Sequence, residues 1–112
     1  MKIEIKSQEV GVHCVSLKGD LDFNSAKKVR EELAKLTQKD GSKILLNLGG
    51  VAYIDSSGLA TFIDLFQKMK RSGGKLAFFN VGQSVRSVFE IAKLDTVFNL
   101  KGSEEEALAQ VS

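Results

Sequence analysis

A chain of 112 residues, 43% hydrophobic and 27% charged, has the make-up of one soluble globular domain. At that length it buries roughly 65% of its unfolded surface without help from disulfide or metal. A net charge of +2 is too small to argue for direct binding of nucleic acid, and a lone cysteine, Cys14, excludes an intrachain disulfide or a cysteine metal cluster.

The start, Met1-Lys2-Ile3-Glu4-Ile5-Lys6, alternates charge and hydrophobe and resembles no signal peptide. No apolar run approaches the roughly 18 residues that span a bilayer. A cytoplasmic protein without a membrane partner is the expectation. In chain order, residues 2–6 alternate as a half-buried strand, and Val12 to Leu17 reads as a second, with Gly11 marking a hairpin turn between them. After Gly19-Asp20-Leu21-Asp22 the period changes. Ala26, Val29, Leu33 and Leu36 recur at helical spacing, which predicts an amphipathic helix capped by Asn24 or Ser25 and ending near Asp40-Gly41.

Lys43 to Leu48 is an almost continuous apolar strand, as at the centre of a sheet covered by helices. Gly49-Gly50 is read as a turn. Leu59, Phe62, Ile63, Phe66 and Met69 then mark the buried stripe of a second helix that stops before Ser72-Gly73-Gly74. Leu76 to Phe79 is the next strand, Val85, Val88, Phe89 and Ala92 outline a third helix, and Thr96-Val97-Phe98 reads as a short strand. Ser103-Glu104-Glu105-Glu106 is a capping box opening a last helix. The order β-β-α-β-α-β-α-β-α implies an α/β fold, with right-handed crossovers and a mostly parallel central sheet covered by helices.

The chemistry concentrates where the apolar run Val51 to Ile54 meets Asp55-Ser56-Ser57-Gly58. Two hydroxyls and a carboxylate stand at a helix N-terminus, where free N–H groups and the positive end of the macrodipole favour an anion. Serine there suits a nucleophile, a phosphate ligand, a phosphorylation site or a plain cap. A hydrolase needs a base within reach of the serine. The single histidine, His13, sits in the second strand, on the face opposite Val12 and Cys14, as a half-exposed strand residue. Ile54 also stands where a nucleophile elbow needs glycine. Gly49-Gly50 and Gly73-Gly74 open no nucleotide-binding fingerprint and read as turns. Asp20, Asp22 and Asp55 on two loops are a weak metal signal, and Cys14 reads as a small buried hydrophobe. Lys68, Lys70, Arg71 and Lys75 read as a solvated helix end that complements the macrodipole.

The remaining reading is a serine modified by another protein. Gly19-Asp20-Leu21-Asp22, the run from Leu48 to Leu59, Gly73-Gly74-Lys75-Leu76, Val85 to Glu90, Leu94 to Phe98 and Glu105-Glu106-Ala107-Leu108 together resemble a bacterial anti-sigma factor antagonist, a single STAS domain, over residues 1–112. The resemblance implies a non-enzymatic partner switch that needs no cofactor. In that family the unphosphorylated antagonist binds an anti-sigma factor that is also a serine kinase and frees the sigma factor; a PP2C-type phosphatase removes the phosphate that the kinase adds. It implies Ser56 as acceptor and Asp20, Asp22, Asp55, Ser57 and Gly58 as partner-binding positions, with Asp22 beside the acceptor. Ala60, Gln83-Ser84 and Lys93 depart from the family pattern, where glycine, Ser-Pro and glycine are common. The resemblance leaves open a second task, as a non-catalytic STAS subunit of a lipid transporter or a stress-sensing assembly.

Overall fold

A computed structural model describes residues 1–9 and 11–112, with the side chains of residues 8 and 9 outside the description. The elements run β1 (Lys2–Glu9), β2 (Val12–Lys18), α1 (Phe23–Leu36), β3 (Lys43–Gly50), α2 (Ser56–Arg71), β4 (Lys75–Phe79), α3 (Gln83–Ile91), β5 (Leu100–Lys101) and α4 (Glu104–Val111). This is the order expected from the sequence. The five strands lie in the sheet order β1-β2-β3-β4-β5. β1 pairs antiparallel with β2, and every other pair is parallel.

Strand alternation divides the core between two faces of the sheet. Val15, Leu17, Ile44, Leu46, Leu48 and Phe78 pack with residues of α1, α2 and α3. Cys14, Leu45, Ala77 and Phe79 point the other way and pack with Ala107 and Val111 of α4. The run Ile44-Leu45-Leu46 is therefore buried on both sides, which is why it shows no polar alternation. Burial pushes the Cys14 thiol up from its ordinary range, with Glu104 adding to the rise and Lys6 opposing it.

Several boundaries differ from the sequence reading, beginning with β1, which runs past Lys6 to Glu9. α1 is capped by Asp22, with Asn24 and Ser25 donating their backbone N–H groups to its carboxylate; the Ser25 hydroxyl in turn accepts from the Asp22 N–H. α1 ends at Leu36, because the Thr37 hydroxyl and N–H both take the Ala34 carbonyl. Val51 donates to Leu48, so the glycine pair does bend the chain, yet Gly50 stays paired with Lys18 and β3 runs through it. The strand expected at Thr96–Phe98 is a turn, with Val97 and Phe98 both donating to the Leu94 carbonyl. Phe98 is buried through a ring stack on Phe78, centroids 5.0 Å apart, and the pairing strand follows at Leu100–Lys101. At the capping box before α4, Ser103 accepts from Glu106 as expected, but Glu106 reaches the Gly102 N–H instead of that of Ser103. The stripe that α2 buries is Gly58, Thr61, Phe62, Leu65 and Met69, so Leu59, Ile63 and Phe66 lie at its edge.

Two helices end in the same way, with different residues. After α2, Gly73 at φ 72° precedes Gly74, whose N–H reaches back to Met69. After α3, Lys93 at φ 59° holds the corresponding place, with Lys93 donating to Glu90 and Leu94 to Phe89. A left-handed conformation costs a non-glycine residue roughly 1–2 kcal/mol, so Lys93 departs from glycine at a strained position. Lys93→Gly is expected to raise stability by about 1 kcal/mol, read as a higher midpoint in urea at unchanged slope. A lower midpoint would show that the Lys93 side chain contributes more than its backbone loses.

Candidate partner and modification site

The site is made where two strand exits meet. Leu21, after β2, and Ile54, after β3, form an isolated parallel bridge. Leu21 donates to Tyr53 and accepts from Asp55. The next residue on each side is an aspartate, and each caps a helix. Asp22 caps α1, and Asp55 accepts from the N–H groups of Ser57 (2.9 Å) and Gly58 (3.0 Å) to cap α2. The second oxygen of Asp55 takes the N–H of Phe23 at 3.1 Å, so one carboxylate fixes the starts of both helices. This cross-link was not foreseen. The sequence shows two cap residues but not that their loops are paired.

Ser56 is the first residue of α2 and is exposed, whereas Ser57 is only partly so. No hydrogen bond within the described residues holds the Ser56 hydroxyl. Asp20 is exposed, and its carbonyl accepts from the Ser25 hydroxyl at 2.8 Å. Asp20, Asp22 and Asp55 thus stand on adjoining loops at one end of the molecule, with Ser56 and Ser57 after them. Gly58 is different. It is buried, and a Cβ there would lie 2.5 Å from the Leu21 carbonyl oxygen. Its place is under the surface, where it lets α2 approach the bridge.

Among the described residues no group of three His, Cys, Asp or Glu side chains could hold a metal. Asp22 and Asp55 instead take backbone N–H groups. His13 pairs in register with Ile44, near the start of β3, while Ser56 follows the end of that strand. Its ring nitrogen Nδ1 lies 2.8 Å from the Ser7 hydroxyl. The imidazole is at the opposite end of the sheet from Ser56, so it cannot serve as its base. Of the basic residues near the α2 C-terminus, Lys68 pairs with Asp64 at 3.2 Å, and Lys70 and Arg71 are exposed in the last turn.

The family model described as the STAS domain matches residues 3–107. The chain belongs to the STAS domain family. It is 29% identical over 106 residues to the anti-sigma-B factor antagonist of Listeria monocytogenes, covering 95% of this chain and 93% of that one. Against the anti-sigma-B factor antagonist of Bacillus subtilis it is 29% identical over 105 residues, 94% of each chain. The fold of this STAS domain is that of the anti-sigma factor antagonist SpoIIAA in its unphosphorylated form, with a TM-score of 0.83 at 21% identity over 98% of this chain and 96% of that one. No described helix is long and apolar enough to cross a membrane.

Proposed function

We propose that this STAS domain is a non-catalytic anti-sigma factor antagonist that acts in the cytoplasm, with Ser56 as its switch. The observation that carries the reading is the state of Ser56: exposed, first in α2, its hydroxyl unengaged, beside a carboxylate that holds the helix start rigid. The full-length similarity to anti-sigma factor antagonists supplies the partner class. The unmodified domain binds an anti-sigma factor that is also a serine kinase; that kinase phosphorylates Ser56, and a PP2C-type phosphatase reverses it.

The physical consequence of phosphate favours a surface switch. It adds a charge of about −1.5 to −2 at the helix N-terminus, where the macrodipole and free N–H groups accommodate it. The fold tolerates that charge. A partner packed on the same end meets like-charge repulsion and a harder desolvation.

The direct test mixes the purified chain with the kinase and ATP. A gain of one phosphate, abolished by Ser56→Ala, is expected, together with retention of the Ser56→Ala chain in the kinase complex. A chain that stays unmodified while copurifying in fixed ratio with a larger assembly would contradict the reading and favour a scaffold subunit.

Asp22 tests charge apart from structure. Asparagine caps a helix as well as aspartate does, so Asp22→Asn should leave the unfolding free energy within about 0.5 kcal/mol. If the Asp22 charge contributes to the partner surface, the rate of Ser56 phosphorylation or the affinity for the kinase changes severalfold. Unchanged rate and affinity would reduce Asp22 to a helix cap.

A further inference from the structure

The groove between α1 and α2 has a chemistry that the switch at Ser56 does not explain. It is an open groove of about 590 Å³, lined by Phe23, Asn24, Ala26, Lys27 and Arg30 of α1 and by Ser57 and Ala60 of α2. Phe23, Lys27 and Arg30 lie at spacings of four and three, one stripe along the helix.

Phe23 is 78% exposed, a large apolar side chain on open surface. Its backbone is pinned by the Asp55 carboxylate, so the ring is presented from a fixed point and loses little freedom when covered. Lys27 and Arg30 are both exposed and make no ion pair within the described residues, whereas Lys35 and Lys68 are paired with Glu32 and Asp64 on their own helices. The charged side chains lining the groove are thus of one sign. Buried Ala26 and exposed Ala60 keep its lining free of bulk.

We propose that this groove docks an acidic segment bearing an aromatic or aliphatic side chain, contributed by the kinase that phosphorylates Ser56. The apolar side chain covers Phe23. A carboxylate pairs with Arg30, whose planar guanidinium matches it through two parallel N–H donors, and Lys27 adds a second positive charge. Ser57 lines the groove and Ser56 is its chain neighbour, so phosphate on Ser56 stands at the edge of the seated segment. An acidic occupant is then repelled by the modification, which couples docking to release. The identity of the docking protein rests on the reading of Ser56 above; the chemistry of the groove does not.

The test pans a phage-displayed library of short random peptides on the full-length chain, and counter-screens each clone on Phe23→Ala and on the double variant Lys27→Glu/Arg30→Glu. All three side chains are exposed, so these variants are expected to melt with the parent. The expected result is enrichment of peptides that place Asp or Glu beside Phe, Leu, Tyr or Trp. The best of them, synthesised, should lose at least about tenfold in affinity for either variant and keep it for Lys70→Glu at the far end of α2. No enrichment, enrichment of cationic peptides, or equal binding to parent and variants would overturn the proposal. Concentration-dependent dimerisation in sedimentation, abolished by Phe23→Ala, would give the groove to a second copy of the chain and overturn it too. Phosphorylation is not read here. In the separate assay with kinase and ATP, failure to modify a chain that does capture peptides would sink the reading of Ser56 and leave the groove standing, whereas modification of Ser56 with no peptide captured would sink the groove alone.

Discussion

Gly58→Ala is expected to destabilise the domain by about 2 kcal/mol, although alanine is the better helix former. The added Cβ would lie 2.5 Å from the Leu21 carbonyl oxygen, 2.7 Å from Leu21 Cγ and 2.8 Å from Ile54 Cγ1. Leu21 and Ile54 are bridge partners at the junction of two loops and are buried, so neither can give way freely. Overpacking of this kind costs roughly 1–3 kcal/mol or somewhat more, against a gain of at most about 1 kcal/mol in helix propensity. For a chain of this size the net loss lowers Tm by on the order of 8 °C. Gly58 thereby acts on Ser56 from beneath, through the position of the helix start. An unchanged or raised Tm would show that the bridge is pliable, and that the start of α2 is less firmly placed than the close approach implies.

Ser56→Glu is expected to do the reverse: to spare the fold and abolish the complex. A carboxylate on the first residue of α2 adds negative charge to the favoured end of the macrodipole, so Tm should stay within about 2 °C. Partner affinity should fall on the order of 100-fold, since a like charge placed in an interface costs several kcal/mol and each tenfold is about 1.4 kcal/mol. Wild-type affinity in Ser56→Glu would separate Ser56 from the binding surface. A Tm loss on the order of 10 °C would make the serine structural.

The start of α2 and the two-faced strand β3 were legible in the sequence for the same reason. Each is a local pattern, an apolar run ended by Asp55-Ser56-Ser57-Gly58 in one case and an uninterrupted Ile44-Leu45-Leu46 in the other. The cap of α1 was not legible, because Asp22, Asn24 and Ser25 are all competent caps within four residues. The choice is made by the pairing of Leu21 with Ile54, a contact between distant parts of the chain. Thr96-Val97-Phe98 has strand composition, but the Val97 and Phe98 N–H groups turn back to Leu94 and the Phe98 ring packs with Phe78 and Phe89.

The candidate site divides along the same line. Ser56, Asp55, Asp22 and Asp20 could be named from one short motif and one loop. The bond from Phe23 to the Asp55 carboxylate, and the basic stripe of Lys27 and Arg30 beside an exposed ring, needed α1 and α2 side by side. In the sequence those two cations were only the polar face of a helix.

The central claim is that one hydroxyl, on Ser56, is the switch. After reaction with the kinase and ATP, trypsin releases the stretch from Ile44 to Lys68, which holds two serines, Ser56 and Ser57, and one threonine, Thr61. Fragmentation of that peptide assigns the phosphate. The account predicts it on Ser56, the exposed first residue of α2, with Ser57 and Thr61 bare. Phosphate on Ser57 with Ser56 unmodified, or none anywhere in the peptide, would contradict it.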